Sequence, residues 1–168
     1  QAAMPRVTII RLNAGLATGP ILTAQLVDIH PAEDCGTLSG RLAHLGANLL
    51  ASVIPGYLSG EVVPIPQSDE GATYADKVTA SDRPLGGIED ASEFLARVRG
   101  LAPDPGGVLV IDGEPHKVLA ARIGDHAPPP GAWELVDSVP VVAVGAHGVE
   151  LVTVQPPGGR PMGGEAWA

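Results

Sequence analysis

Between Thr37 and about Leu58 the apolar residues Leu38, Leu42, Leu45, Leu49 and Val53 recur every three or four positions, which commits the stretch to an amphipathic helix. Asp34 or Thr37 is placed to cap it. Pro55 and Gly56 break the repeat and should weaken its last turn, and Ser59-Gly60 ends it. Ahead of the helix the signal switches to strand: Val7 to Leu12 is rich in β-branched residues, and Ile21 to Ile29 alternates. The turn between them, Asn13 to Pro20, carries Gly15 and Gly19. A strand so close to Gln1 reads as a start in mid-domain.

Past the helix, Val62 to Pro66 is a short extended run, and residues 67–84 hold neither period long enough to nominate an element, so they read as a linker. Asp90-Ala91-Ser92-Glu93 then has the spacing of a capping box, and Phe94, Leu95, Val98 and Leu101 continue it as a second helix over about 91–100. After Pro103-Asp104-Pro105-Gly106 four strands are expected, at 107–111, 116–123, 139–144 and 149–154. Asp112-Gly113 and His147-Gly148 are the expected hairpin turns. This half is expected to be a small β-barrel, so the fold class is α/β followed by β.

Composition excludes several classes of function. The chain is 45% apolar, enough to fill a core, with twenty-two glycines and seventeen prolines in no fixed period, so it is neither disordered nor collagen-like. Only 3% is aromatic, which leaves no stacking platform of the RNA-recognition type. A net charge of −9 opposes broad attraction to phosphate. The single cysteine, Cys35, makes no internal disulfide and is expected as a small buried thiol. No run of apolar residues is long enough for a membrane span and no signal-peptide order opens the chain, so a soluble, cytoplasmic protein without membrane contact is expected.

Residue types alone reveal little chemistry. His30, His44, His116, His126 and His147 never pair at metal-ligand spacing, so no metal is expected, and His44 reads as a helix-surface residue. No phosphate loop, dinucleotide fingerprint or nucleophile elbow is present.

The order of the pieces nevertheless resembles a family. Val7-Thr8-Ile9 followed by Asn13-Ala14-Gly15-Leu16-Ala17-Thr18-Gly19-Pro20 is similar to the V-T-I-M-x-M-D-x-G-L-D-T-G-P segment of methionyl-tRNA formyltransferases. Gly36-Thr37-Leu38 with Arg41 to Ala47, Pro66-Gln67 before Gly71 to Lys77, Pro103 to Gly106, Lys117-Val118-Leu119 and Gln155 to Met162 follow in the family's order. The resemblance covers nearly the whole chain. It implies transfer of a formyl group from 10-formyltetrahydrofolate to initiator methionyl-tRNA in translation initiation. It also implies an architecture: residues 1–66 ending a Rossmann-like catalytic domain, 67–84 a linker, and 85–168 an OB-like β-barrel that grips the tRNA.

Carried over residue by residue, the resemblance puts Asn13, Gly15, Thr18 and Gly19 on the folate side and places the family's catalytic Asp at Ala17. A methyl group neither orients a histidine nor accepts a proton. The family's upstream Asn and its H-G-S-L-L-P histidine are not in this chain, so an inactive site and no folate binding by this chain alone are the expectations. The tRNA side rests on Lys77, Arg83, Arg97, Arg99, Lys117, Arg122 and Arg160, lining one face despite seven basic against thirteen acidic residues over 76–168. Asp104 stands where the family often has an aromatic, and Leu85-Gly86-Gly87-Ile88 replaces an L-D-W-S segment, both read as lost apolar anchors. Three alternatives remain open: a tRNA-binding module without chemistry, a degenerate remnant, and a sugar N-formyltransferase relative. An unpaired sheet edge adds self-association.

Overall fold

The computed structural model describes residues 5–168, so the first four residues of the expected 1–66 segment lie outside it. The chain divides into two compact units, Gln1–Glu33 with Thr37–Lys77 and Asp34–Gly36 with Val78–Ala168.

In the first unit β1 (Arg6–Ile10) and β2 (Ile21–Leu26) form an antiparallel pair in which Thr8 faces Ala24, with a register shift between Ile9 and Ile10. The expected extended run after the helix is not a strand. Its Ile65 makes a single antiparallel bridge to Ile21, exchanging backbone hydrogen bonds of 2.7 and 2.8 Å. Helix α1 runs Cys35–Ser59 and brings Gly46 within ordinary contact of Val7 on β1. Pro55 lies inside the helix, which ends at Ser59 as expected. Residues 51 and 55 are both exposed, so the carbonyl left without an N–H partner is open to water. Cys35, expected buried, is exposed because it is the terminal residue of α1.

In the second unit Asp90 caps α2 (Ala91–Leu101), its carboxylate accepting the Glu93 N–H at 2.9 Å, and the helix buries Ala91, Phe94, Val98 and Leu101. Those side chains cover a sheet of order β3-β4-β7-β6-β5: β3 (Gly107–Ile111), β4 (Glu114–Ile123), β7 (His147–Gln155), β6 (Val139–Val144) and β5 (Trp133–Val136). A two-residue strand β8 (Met162–Gly163) pairs with β7, and a one-turn helix α3 (Gly164–Trp167) follows. Every strand pair is antiparallel.

Four sequence expectations for this unit need correction. The first is the turn at His147-Gly148: Val144 pairs with His147, so Gly145-Ala146 make the turn and His147 opens β7. The second is the number of strands, since four were expected and β5 is a further one; it is joined to β6 by Asp137-Ser138, both at positive φ (49° and 67°), a turn geometry usually signalled by Asn-Gly. The third is the barrel. The sheet is open, since no pairing between β3 and β5 is found among the described residues, and the backbone of Arg83–Leu85 lies against the outer edge of β3: Leu85 N–H donates to Val108 O and Val108 N–H to Arg83 O, each at 2.8 Å. The fourth is the loss of apolar anchors at 85–88. Leu85 is among the most buried residues and Ile88 packs on the same core.

The C-terminus is held by aromatic contacts. Trp167 lies edge-on to the buried His116 at 5.0 Å and tilted on Trp133 at 5.6 Å, while the Trp133 indole donates to Asp112 at 3.0 Å.

Candidate functional site

The turn between β1 and β2 is built by side chains that tie it to itself. Arg11 N–H reaches Pro20 O at 2.9 Å, closing the hairpin. Within it the Asn13 side-chain oxygen accepts from Gly15 N–H at 3.1 Å and from the Thr18 hydroxyl at 3.0 Å. Gly19 is buried against the opposite limb, and a side chain there would collide with the Arg11 carbonyl. Asn13, Gly15, Thr18 and Gly19 thus come together, with Asn13 and Thr18 spending polar atoms on the turn itself.

Ala17 sits at the exposed tip with φ at 55°, in the left-handed region. Its carbonyl and that of Gly19 both accept from the Gln67 side-chain amide, at 2.8 and 2.6 Å. Gln67 is therefore the residue that fixes the turn from outside. Sequence reading noted it only inside a motif, since nothing in local periodicity reveals a contact across some fifty residues.

Two clefts meet at Ala17 and Gln67. One of about 620 Å³ is lined by Arg6, Thr8, Ile10, Ala17, Ile21, Pro66, Gln67 and Ser68. The other, about 470 Å³, runs from Leu16 to Thr18 and along residues 67–75. The first offers an apolar wall (Ile10, Ile21, Pro66), neutral hydrogen-bonding groups and one guanidinium, which suits one side of a flat polar heterocycle. It contains no carboxylate or imidazole, so no group in it takes up a proton at neutral pH. Among the described residues no cluster of three metal-ligating side chains occurs.

The strongest perturbed ionisation lies elsewhere in this unit. The Arg41 guanidinium donates to both Glu33 carboxylate oxygens, at 2.8 and 2.7 Å, and also to Asp28 O. That side-chain hydrogen bond, helped by the His30 N–H, holds Glu33 at about 2 against the opposing effect of burial.

The seven cations expected on one face are differently engaged. Lys77 is exposed and belongs to the first unit. In the second unit, Arg122 is paired with Glu150 at 2.6 Å and Arg97 with Glu93 at 3.4 Å. Arg97 also adds attraction to Asp82, whose carboxyl is lowered first by the Thr79 N–H and then by its hydroxyl. Arg83 donates to Gly106 O and Pro105 O, both at 3.1 Å. Arg99 and Lys117 are half-buried and Arg160 is exposed, and none of the three has an acidic partner among the described residues. His44 is on the helix surface as expected, its Nδ1 2.9 Å from Gly40 O.

Comparison with known proteins places these features. Residues 88–168 match the formyl transferase C-terminal domain. A methionyl-tRNA formyltransferase of Halorhodospira halophila is 39% identical over 163 residues, covering 92% of this chain and 51% of that protein. The chain thus spans about half the length of the curated relatives it matches. HypX from Aquifex aeolicus has a similar fold, with TM-scores of 0.77 for one variant and 0.75 for its complex with tetrahydrofolic acid, at 13% identity. Those matches cover 95% of this chain and 30% and 29% of HypX. An N-formyltransferase from Helicobacter canadensis, in complex with folinic acid and dTDP-3-aminofucose, aligns with TM-score 0.62 and 12% identity over 87% of this chain and 54% of that one.

Proposed function

We propose that the chain, whose residues 88–168 match the formyl transferase C-terminal domain, is the C-terminal half of a methionyl-tRNA formyltransferase. The observation that carries this reading is one continuous match, 39% identical, that runs through both compact units and aligns with a single methionyl-tRNA formyltransferase. Residues 1–66 then end a Rossmann-like catalytic domain, 67–84 join it to the next, and 85–168 form an OB-like domain. An open five-stranded path is compatible with that fold, whose barrel is itself only partly closed.

In the reaction a 10-formyltetrahydrofolate donor supplies the formyl group and the amino group of initiator methionyl-tRNA receives it. The contribution of this half is shape and grip: the turn held by Asn13 and Gln67 forms one wall of the folate cleft, and cations of the second unit hold tRNA. Proton transfer needs groups that the cleft lacks, because the family's Asp position is Ala17. Formyl transfer therefore depends on the upstream half, and this chain alone is inactive and binds no folate. The location that fits translation initiation is the cytoplasm; no helix among the described residues is long and apolar enough to cross a membrane. Self-association through the second edge of β1, which pairs only with β2 among the described residues, belongs to the same proposal.

The test is formylation of charged initiator tRNA by the chain joined to an active upstream half. Turnover above that half alone supports the reading, and turnover at the uncatalysed background overturns its catalytic part. A dTDP-amino sugar offered in the same assay separates the sugar branch, whose fold is shared at low identity.

A further inference from the structure

We propose that Arg6 anchors the anionic tail of the formyl donor: its guanidinium takes the glutamyl carboxylates of a reduced folate whose formyl-bearing end lies at the turn. The inference rests on the formyltransferase reading for the identity of the ligand, and on the following geometry for the site itself. Successive side chains of a strand alternate between faces, and Arg6, Thr8 and Ile10 of β1 all line the cleft of about 620 Å³. Val7, between them, meets Gly46 of α1, so the Arg6 face is turned away from the helix.

The strand sets the spacing. Arg6 opens β1, and the turn leaves its other end, where Ile10 and Ala17 line the same cleft. Four residues of rise put the Cα atoms of Arg6 and Ile10 about 13 Å apart. A reduced folate carries its carboxylates one aromatic ring and one amide beyond the nitrogen that bears the formyl group, a length of the same order. Thr8 and Ile10 lie along that path. Leu26, opposite Arg6 in the β1–β2 ladder and 57% exposed, extends the apolar surface beside it.

Charge fixes the direction. Among the described residues Arg6 supplies the cleft's one cation, no carboxylate lines it, and no ion pair engages the Arg6 side chain. The second cleft, which shares Ala17, Gln67 and Ser68 with the first, adds Asp69 and Glu70 at the turn end. A tail with two carboxylates is repelled from that end and drawn to Arg6, which leaves the neutral formyl-bearing end beside residue 17. A guanidinium receives a carboxylate through two parallel hydrogen bonds, and here it has no existing partner to give up.

The experiment measures dissociation constants by calorimetry for the chain joined to an active upstream half. Its two ligands are 5-formyltetrahydrofolate and an analogue in which a methylamide replaces the glutamate, each at low and moderate salt. The wild type is expected to bind the glutamyl ligand about tenfold more tightly, a preference that shrinks as salt rises. Arg6→Gln is expected to weaken that ligand about tenfold and to change the methylamide by less than about twofold, while Arg6→Lys keeps part of the preference. In formylation Arg6→Gln should raise KM for 10-formyltetrahydrofolate with kcat unchanged, the mark of a contact made equally in ground and transition states. Arg6 is exposed, so the melting temperature should not move, and the two-ligand comparison on the wild type holds whether or not a variant folds.

Folate binding that depends on Arg6 without formylation leaves the anchor standing while the formyltransferase reading falls. Equal affinity of the wild type for the two ligands, or a preference that survives Arg6→Gln, overturns the anchor alone when formylation proceeds. So does a variant that loses initiator tRNA and keeps folate, since Arg6 then serves a phosphate. Absence of both folate binding and formylation overturns the two readings together.

Discussion

Ala17 occupies a backbone conformation that suits a different residue. At φ of 55° an alanine is strained by about 1 kcal/mol, whereas Asp and Asn adopt this region several-fold more readily. The backbone there thus accommodates an Asp. Ala17→Asp is expected to fold with an unchanged or slightly raised melting temperature. In the chain joined to an active upstream half it should raise formylation by about a hundredfold or more, the usual scale of a restored acid–base group. A melting temperature lowered by several degrees would show that the turn no longer accepts Asp, and unchanged turnover would remove position 17 from the chemistry. Sequence alone showed which residue stands at 17 and which types surround it. It did not show that Gln67 holds the turn, because that hydrogen-bonded contact joins distant segments and leaves no local period.

Where an element buries a regular stripe, the sequence was a sufficient guide. Helix α2 begins at the expected cap because Asp90 satisfies an orphan N–H, and its stripe of Phe94 and Val98 meets the sheet. Strand β5 was illegible for the opposite reason: it is short, and Asp137-Ser138 reverses the chain without a glycine. Ser138→Gly, which relieves a left-handed serine at φ of 67°, is expected to stabilise the second unit by about 0.5–1 kcal/mol, read from chemical denaturation. A destabilised variant would mean that the serine side chain contributes more than its backbone costs. The approach to α1 offers a pH test. Glu33 is lowered from 4.5 to about 2 in the folded chain, so the unfolded chain binds the extra proton between those values. Its stabilisation is complete above about pH 4.5 and is lost as pH falls towards 2. Melting curves of the wild type and Glu33→Gln should therefore converge as the solution is acidified through that window. Parallel curves would dissociate Glu33 from acid stability.

Across the molecule the two units differ sharply in what they bury. The second has a contiguous core that includes Leu85, Phe94, Val98, Val118, Val149, Leu151 and Val154. Among the described residues of the first, only Val27 and Val53 are apolar and buried, while Leu50, Ile54 and Leu58 of α1 stay exposed. Apolar area removed from water is the main favourable term in folding, so the first unit opens at much lower cost. The 25-residue helix found from its leucine spacing buries only Val53, a fact that periodicity does not carry because it marks a face without saying what covers it. Limited proteolysis of the 168-residue chain should first cut within residues 6–77 and leave a resistant fragment beginning near Val78. Adding an active upstream half should slow those first cuts if it supplies the missing cover, and leave cleavage after residue 78 unchanged. Simultaneous loss of both units would instead show that they unfold as one. The distribution of buried side chains would then be a poor guide to the molecule's stability.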